Sequence, residues 1–220
     1  MVDRHSKAAE PQLVTDPEEI ARVEARNALR QFDAVIQLVE KWTEPEHPPF
    51  KLRSSTILAL HREALDGLSA YAGTFRPSGI KIGGSQHKPV DAFLVPASVE
   101  ELCDYINEHW SETALHLSAY TLWRLNWIHP FTDGNGRTAR AVAYMVLCIR
   151  IGQRLPGTKT IPEQIASDKE PYYAALESAD KGDLSPLEQL LGTCLARQLY
   201  DIHVAATTTG DRHDTDKTLH

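Results

Sequence analysis

The run Thr138-Ala-Arg-Ala-Val-Ala-Tyr-Met-Val-Leu-Cys-Ile149 constrains this chain more than any other stretch. Its residues form helix readily and, Arg140 apart, are apolar on nearly every side, so a helix here has no face to turn to water and is expected to be buried. The rest of the chain also reads as helical. Asp16-Pro17-Glu18-Glu19 is a helix start, with Asp16 as the cap, Pro17 in the first position and acids in the first turn. Ile20, Val23, Ala28, Leu29, Phe32, Val35, Ile36 and Val39 then recur at helical spacing as far as about Lys41. Glu44-Pro-Glu-His-Pro-Pro-Phe50 breaks that helix, and residues 54–70 give a second, with Ile57, Leu58, Leu60, Leu65 and Leu68 as its buried stripe. Residues 99–109 and 114–127 form two more, Trp123 and Trp127 belonging to the core. Beyond the buried run come a short turn at Pro162-Glu-Gln-Ile-Ala, a helix from Pro171 to Ala179, and a last one from Leu184 or Ser185 to about Tyr200. Residues 73–96 differ: four glycines, three prolines and the short apolar runs Ile80-Lys-Ile82 and Ala92-Phe-Leu-Val95 read as a hairpin.

Directly ahead of the buried run stands Ile128-His129-Pro130-Phe131-Thr132-Asp133-Gly134-Asn135-Gly136-Arg137. Pro130 biases His129 away from helical geometry, making the approach extended or irregular. Gly134 and Gly136 lack a Cβ, so the backbone can bend tightly and bring its N–H groups close to a ligand, and Asn135 tolerates unusual dihedrals between them. Arg137 and Arg140 lie one turn apart at the helix start, where the macrodipole is already positive and N–H groups lack partners. Two cations there are unfavourable until an anion joins them, and phosphate suits both the N–H groups and the guanidinium forks. Asp133 offers a hard oxygen to Mg²⁺, which binds through one or two carboxylates plus substrate phosphates. His129 is the group near this site that can accept a proton at neutral pH. Singly, each feature is ordinary: a turn histidine, a surface turn, a solvated helix face. Their coincidence implies a nucleotide and a proton acceptor.

The segment resembles the Fic signature, His-x-Phe-x-(Asp/Glu)-Gly-Asn-(Gly/Lys)-Arg-x-x-Arg, at every specified position. The resemblance implies an all-α fold, a Fic-type helical bundle with a small β-hairpin flap next to the active-site loop. It also implies a protein adenylyltransferase, in which His129 removes the proton from a target Ser, Thr or Tyr hydroxyl that then attacks the α-phosphate of ATP and expels pyrophosphate. On the same ground Asp133 holds Mg²⁺, Gly134, Asn135 and Gly136 surround the α- and β-phosphates, Arg137 and Arg140 hold the outer phosphates, and Phe131 points inward to anchor the loop. Such chemistry is mostly positioning and charge stabilisation, without a covalent enzyme intermediate. Gly134 and Gly136 stand where relatives that phosphorylate their targets resemble Ala and Lys, which favours AMP transfer. Removal of AMP, use of another pyrophosphate-linked donor, and a non-enzymatic nucleotide-binding or interaction module are the alternatives, and the intact His129 speaks against the last.

The resemblance further implies a protein target docked along the 80–95 hairpin by strand-like pairing, and it makes Tyr172, Tyr173 and Leu176 candidates for an adenine pocket. Many relatives carry an inhibitory helix resembling (Ser/Thr)-x-x-x-Glu-(Gly/Asn), whose Glu pairs with the second arginine of the signature. The nearest match is Ile20-Ala-Arg-Val-Glu24-Ala25, which departs at Ile20 and Ala25, and Glu24 is expected to reach Arg140.

The organisation that follows is a disordered segment over 1–15, an N-terminal helix over 16–44 that is the candidate inhibitory helix, a Fic core over 50–203 and a disordered tail over 204–220. With 220 residues the chain can bury a sizeable core. A net charge of -7 without any dense Lys/Arg run excludes nucleic-acid binding as the main task, so the ligand site is a basic spot in an acidic protein. Cys103, Cys148 and Cys194 are far apart and odd in number, which suggests neither a disulfide framework nor a zinc site. No signal peptide or spanning segment is read, so no membrane partner is expected and the cytoplasm is the default location. No oligomeric contact is assigned.

Overall fold

A computed structural model of the chain describes the backbone of residues 6–7 and 13–210 and the side chains of 13–200. The elements are β1 (Ser6–Lys7), α1 (Pro17–Thr43), α2 (Ser54–Leu65), β2 (Lys81–Ile82), α3 (Val95–Glu108), α4 (Ala114–Ile128), α5 (Asn135–Ile151), α6 (Ile161–Ser167), α7 (Glu170–Ala179) and α8 (Ser185–Gly210). The all-α class with a small extended flap is as expected. The chain divides into two compact units, 1–154 and 155–220, so the division falls inside the stretch 50–203 that reads as one core in the sequence. It follows the end of α5, where Gly152 takes a left-handed φ of 88° and its N–H donates to the carbonyls of Cys148 and Ile149.

In the first unit α5 is central, packed against α4, α1 and α2. Ala139, Val142, Met145, Val146, Leu147 and Cys148 are wholly buried, as the apolar run requires. Ser118 on α4 donates its hydroxyl to the Ala143 carbonyl at 2.9 Å, tying the two helices across their buried seam. α1 starts at the foreseen cap, with Asp16 accepting from the Glu18 N–H at 3.2 Å. Its inner face differs from the apolar pattern: Leu29 is 70% exposed, while Asn27 and Gln31 are buried. The reason is hydrogen bonding. Asn27 Nδ2 donates to the carbonyls of Asp66 (2.7 Å) and Ala64 (3.3 Å), and Gln31 Nε2 donates to that of Leu60 at 3.0 Å. The Asn27 amide thus takes carbonyls at the C-terminal end of α2, where the helix ladder runs out, and the Gln31 amide adds a second donor to a carbonyl inside that helix. α2 stops at Leu65, short of the expected 70, and passes into the turn at Gly67, whose φ is 74°.

The segment 73–96 is extended at β2 and turns at Gly83 and Gly84, but Ala92–Leu94 is a 3₁₀ turn leading into α3 rather than a second hairpin arm. Pro96 in the first turn of α3 favours that outcome. The strand partner of β2 is β1, at Ser6–Lys7; residues 1–5 and 8–12 of the segment 1–15 expected to be disordered lie outside the described residues. In the second unit α7 and α6 pack on α8, and Gln198 on α8 accepts from the Ile161 N–H and donates to the Pro156 carbonyl. α8 runs from Ser185 to Gly210, and the tail expected over 204–220 starts within it. Residues 211–220 lie outside the described residues. Among the described residues no helix is long and apolar enough to cross a membrane.

Gln31→Ala removes a buried hydrogen bond between α1 and the Leu60 carbonyl and lowers the unfolding free energy by about 0.5–1.5 kcal/mol, whereas Leu29→Ala at the exposed neighbouring position stays within about 0.5 kcal/mol; urea denaturation of both variants checks the contrast.

Candidate active site

The site is built where α4 ends and α5 begins. His129 closes α4 in a left-handed conformation, φ 53° and ψ 61°, a non-glycine dihedral that costs on the order of 1–3 kcal/mol and persists only where its surroundings impose it. The imposing group is Arg76, which is 2% exposed. Its Nε donates to the His129 carbonyl at 2.8 Å, and its backbone N–H donates to the Pro130 carbonyl at 2.9 Å. Burial lowers the Arg76 pKa, opposed by nearby Asp91.

His129 is 7% exposed. Its Nδ1 lies 3.2 Å from the Asn126 carbonyl, which only accepts, so Nδ1 carries the proton and Nε2 the lone pair. Burial pushes the imidazole from its ordinary 6.5 down to about 4; the bond to Asn126 opposes the fall and the charge of Arg76 adds to it. The ring is therefore neutral across the physiological range, in the tautomer that can take a proton through Nε2.

Phe131 turns inward, 1% exposed, as expected. Its ring stacks on His61 of α2 with centroids 3.7 Å apart and planes 5° from parallel. Asn135 holds the same residue by its main chain, accepting from the Phe131 N–H at 2.9 Å and donating to the Phe131 carbonyl at 2.8 Å. The Asn135 amide is thus committed to closing the loop, and what this residue can offer a ligand is its backbone. His61 is the second clamp: Gly73 N–H donates to its Nδ1 at 3.0 Å, so its Nε2 carries the proton and donates to the Asp133 carbonyl, also at 3.0 Å. Gly134 has φ 73°, and a Cβ there would overlap the Leu65 side chain. Only glycine fits that close approach in that conformation.

No side chain caps α5, and its first helical bond is from the Thr138 N–H to the Gly134 carbonyl at 2.9 Å. Its first turn contains no acid, so the positive end of a buried helix faces outward with two arginines beside it. Arg140 Nη1 lies 3.2 Å from where a Cβ on Gly136 would stand, so the missing side chain gives this guanidinium its room. Among the described residues Arg140 has no ion-pair partner. Glu24 reaches Arg137 instead, Oε1 to Nη1 at 3.0 Å, which corrects the expected pairing with the second arginine. α1 is fixed one turn further on by Asn27, and from there Glu24 meets the first arginine, which Asp133 also draws by an i,i+4 contact of 3.3 Å. The Asp133 carboxylate is more than half exposed, and its Oδ1 accepts from the Gly134 N–H at 2.6 Å.

His129, Asp133, Gly134, Asn135, Gly136, Arg137, Arg140 and Glu24 are therefore all in the first unit, around one loop. Tyr172, Tyr173 and Leu176 stand on α7 of the second unit, where Tyr172 and Leu176 are buried and Tyr173 is half-buried. His61 and Arg76 were missed in the sequence. His61 falls four residues after Ile57 and four before Leu65, on the buried stripe, a position at which a polar residue needs partners.

The sequence profile of the Fic/DOC family matches residues 51–147. A protein adenylyltransferase Fic from Drosophila willistoni is 30% identical over 155 residues, covering 69% of this chain and 29% of that protein. The one from Drosophila melanogaster gives 30% over 155 residues and 30% of its length. The chain thus spans under a third of the curated relatives it matches. Among solved structures, Fic-1 from C. elegans superposes with a TM-score of 0.65 at 24% identity, covering 83% of this chain and 52% of that one. The helical bundle is thus a fold shared with Fic proteins.

Gly134→Ala meets both a left-handed φ and the Leu65 side chain, and lowers stability by about 2–4 kcal/mol from the dihedral and the overlap together. His61→Phe keeps the stack on Phe131 but leaves the Gly73 N–H and Asp133 carbonyl unpaired, a loss of about 1–3 kcal/mol. Thermal or chemical denaturation measures both.

Proposed function

We propose that this chain, whose residues 51–147 belong to the Fic/DOC family, transfers AMP from ATP to a Ser, Thr or Tyr hydroxyl of a protein target. The observation that carries the reading is the neutral His129, with its lone pair on Nε2, in the loop that opens the uncapped, arginine-bearing start of α5. The name adenylyltransferase carried by curated relatives supports it.

In this reading His129 Nε2 accepts the proton of the target hydroxyl as its oxygen attacks the α-phosphorus, and the bond to the β-phosphate breaks to release pyrophosphate. The backbone N–H groups of Gly136 and Arg137 and the helix dipole meet the charge that develops on the phosphates. Arg140 and Arg137 bind the outer phosphates, Arg137 exchanging Glu24 for phosphate oxygen. An anion bound there also raises the basicity of His129, since negative charge favours the imidazolium. Tyr172, Tyr173 and Leu176 are assigned to the adenine side, and the target docks along the flap at 80–95. Among the described residues no cluster of three metal-binding side chains occurs. The lone exposed carboxylate of Asp133 fits Mg²⁺ that takes its other oxygens from phosphates and water, and the metal would neutralise phosphate charge. The buried thiols of Cys103, Cys148 and Cys194 suit action in a reducing cytoplasm.

Glu24 holds back the reaction by occupying Arg137. The pair is partly exposed, and such pairs are worth about 0–1 kcal/mol, so Glu24→Gly raises the rate of labelling by no more than about fivefold.

Purified chain given ATP labelled at the α-phosphate becomes or makes labelled protein, and His129→Ala abolishes the label. Transfer from the γ-phosphate instead would identify a kinase, and no transfer even with Glu24→Gly would end the assignment. Because the folded His129 stays unprotonated, kcat/KM holds steady as pH falls through the ordinary histidine value of 6.5 and drops only toward about 4; an acid limb centred at 6.5 in the free enzyme contradicts this.

A further inference from the structure

The flap between α2 and α3 is held at both of its ends by one side chain. Arg76 Nη1 donates to the Ser78 carbonyl at 2.9 Å and Nη2 donates to the Val90 carbonyl, while Nε donates to the His129 carbonyl at 2.8 Å. The Arg76 N–H adds a bond to the Pro130 carbonyl at 2.9 Å. One buried guanidinium therefore joins the two ends of the flap to the turn that carries the proposed base. Only arginine presents its donors in a rigid planar fork, which suits several carbonyls fixed around one point. The arm between those ends is braced separately. His87 Nε2 donates to the Trp127 carbonyl at 2.7 Å, and its ring lies 5.5 Å from that of Trp127, which carries the Arg124 guanidinium 4.3 Å from its centroid. Gly136, Arg137 and Arg140 take no part in these bonds, so the flap is tied to the base and not to the groups that meet phosphate.

In transfer chemistry of this kind an error of about 1 Å in the placement of a reacting group costs about a hundredfold in rate. A target docked on the flap and a base on the catalytic turn keep their mutual distance only if flap and turn move together. We propose that Arg76 is a positioning residue that makes the flap and the His129 turn one body, fixing where a docked target hydroxyl lies relative to His129 Nε2. This rests on the adenylyl-transfer reading. The same guanidinium holds the His129 backbone in its left-handed conformation, in which the ring is buried. The charged and titratable groups that act on that ring are Arg76 and His87 from the flap segment and Asp133 from its own turn, and burial outweighs each of them.

The test compares the full chain with Arg76→Lys, which keeps the charge but whose single ammonium cannot reach all the carbonyls that the fork holds. Labelling of lysate proteins with Mg²⁺ and α-labelled ATP is followed over a range of ATP concentrations. Arg76→Lys is expected to lower the maximal rate about tenfold to a hundredfold and to leave the KM for ATP within about twofold of the parent's. A parent-like rate, or a KM for ATP that rises in proportion, overturns the positioning role and leaves adenylyl transfer standing. No label from the parent overturns the transferase reading and the positioning role together. The ¹⁵N imidazole signals of His129, assigned by their loss in His129→Ala, separate positioning from partial unfolding. In the parent the ring stays neutral as pH falls through 6.5, and in Arg76→Lys its midpoint rises from about 4 toward 6.5 as the freed turn admits water. Lost rate with the parent's midpoint in the folded fraction means a structural role only, and overturns the proposal. Should the variant not fold, the parent alone decides: the Arg76 Nε–H exchanges slowly with solvent, and exchange as fast as that of an exposed arginine overturns the joint.

Discussion

Helix α5 buries Ala139, Val142, Met145, Val146, Leu147 and Cys148 side by side, and a helix enclosed to that degree cannot slide or tilt to meet a ligand. At about 1.5–3 kcal/mol for each large apolar side chain withdrawn from water, displacement would cost far more than a ligand contact returns. The start of α5 is consequently a fixed object, and everything at the site is arranged around it. A fixed helix start with two arginines and no cap is electrostatically unfavourable by itself. The molecule relieves this at Arg137 with Glu24 and Asp133, and leaves Arg140 without an ion-pair partner among the described residues.

The loop that feeds α5 is held almost entirely through its main chain. Arg76 takes the His129 carbonyl, Asn135 both polar groups of Phe131, and His61 the Asp133 carbonyl. Such contacts fix where the backbone runs without using the groups a ligand needs, since Asp133, Arg137 and Arg140 keep part of their side chains in solvent. They also explain the two unusual dihedrals. His129 and Gly134 are both left-handed: Arg76 holds the carbonyl of the first, and the Leu65 side chain leaves no room for a Cβ on the second. The burial that lowers the His129 pKa comes from the same enclosure, so tautomer, charge state and position of the ring have one cause.

How far this could be read from the sequence depends on the kind of signal. The apolar run of α5, the Asp16 cap and the glycine at the turn before α5 are local features, and their physics is complete within a few residues. The inner face of α1 was misread because periodicity scores Ala28 and Leu29 as buried and Asn27 and Gln31 as exposed, while hydrogen bonds to main-chain carbonyls of α2 and the turn after it reverse the choice. Arg76 and His61 were invisible for a related reason: their partners are carbonyls and N–H groups brought from distant positions, which leave no mark on residue type. Glu24 was identified as a carboxylate for the arginine pair, yet which arginine it meets is set by the seating of α1 on α2. The flap was legible as an extended, glycine-rich stretch, but the partner of its strand, Ser6–Lys7, lay far earlier in the chain.

Two features of the first unit share an energetic character that bears on how it could be switched. Arg137 is engaged by a partly exposed carboxylate, and the β2 edge by two residues of the same chain. Both contacts are weak beside the burial that fixes α5: an exposed ion pair contributes about 0–1 kcal/mol, and a two-strand ribbon is marginal. A site blocked by strong contacts would need a partner to open it. One occupied by weak contacts over a rigid frame opens by competition alone, because a phosphate group competes well with a single carboxylate for an arginine at a helix start, and a longer strand outpairs two residues at an edge. Rigidity in α5 and its clamps thus allows the occupying segments to be loose, since releasing them disturbs none of the geometry that positions His129.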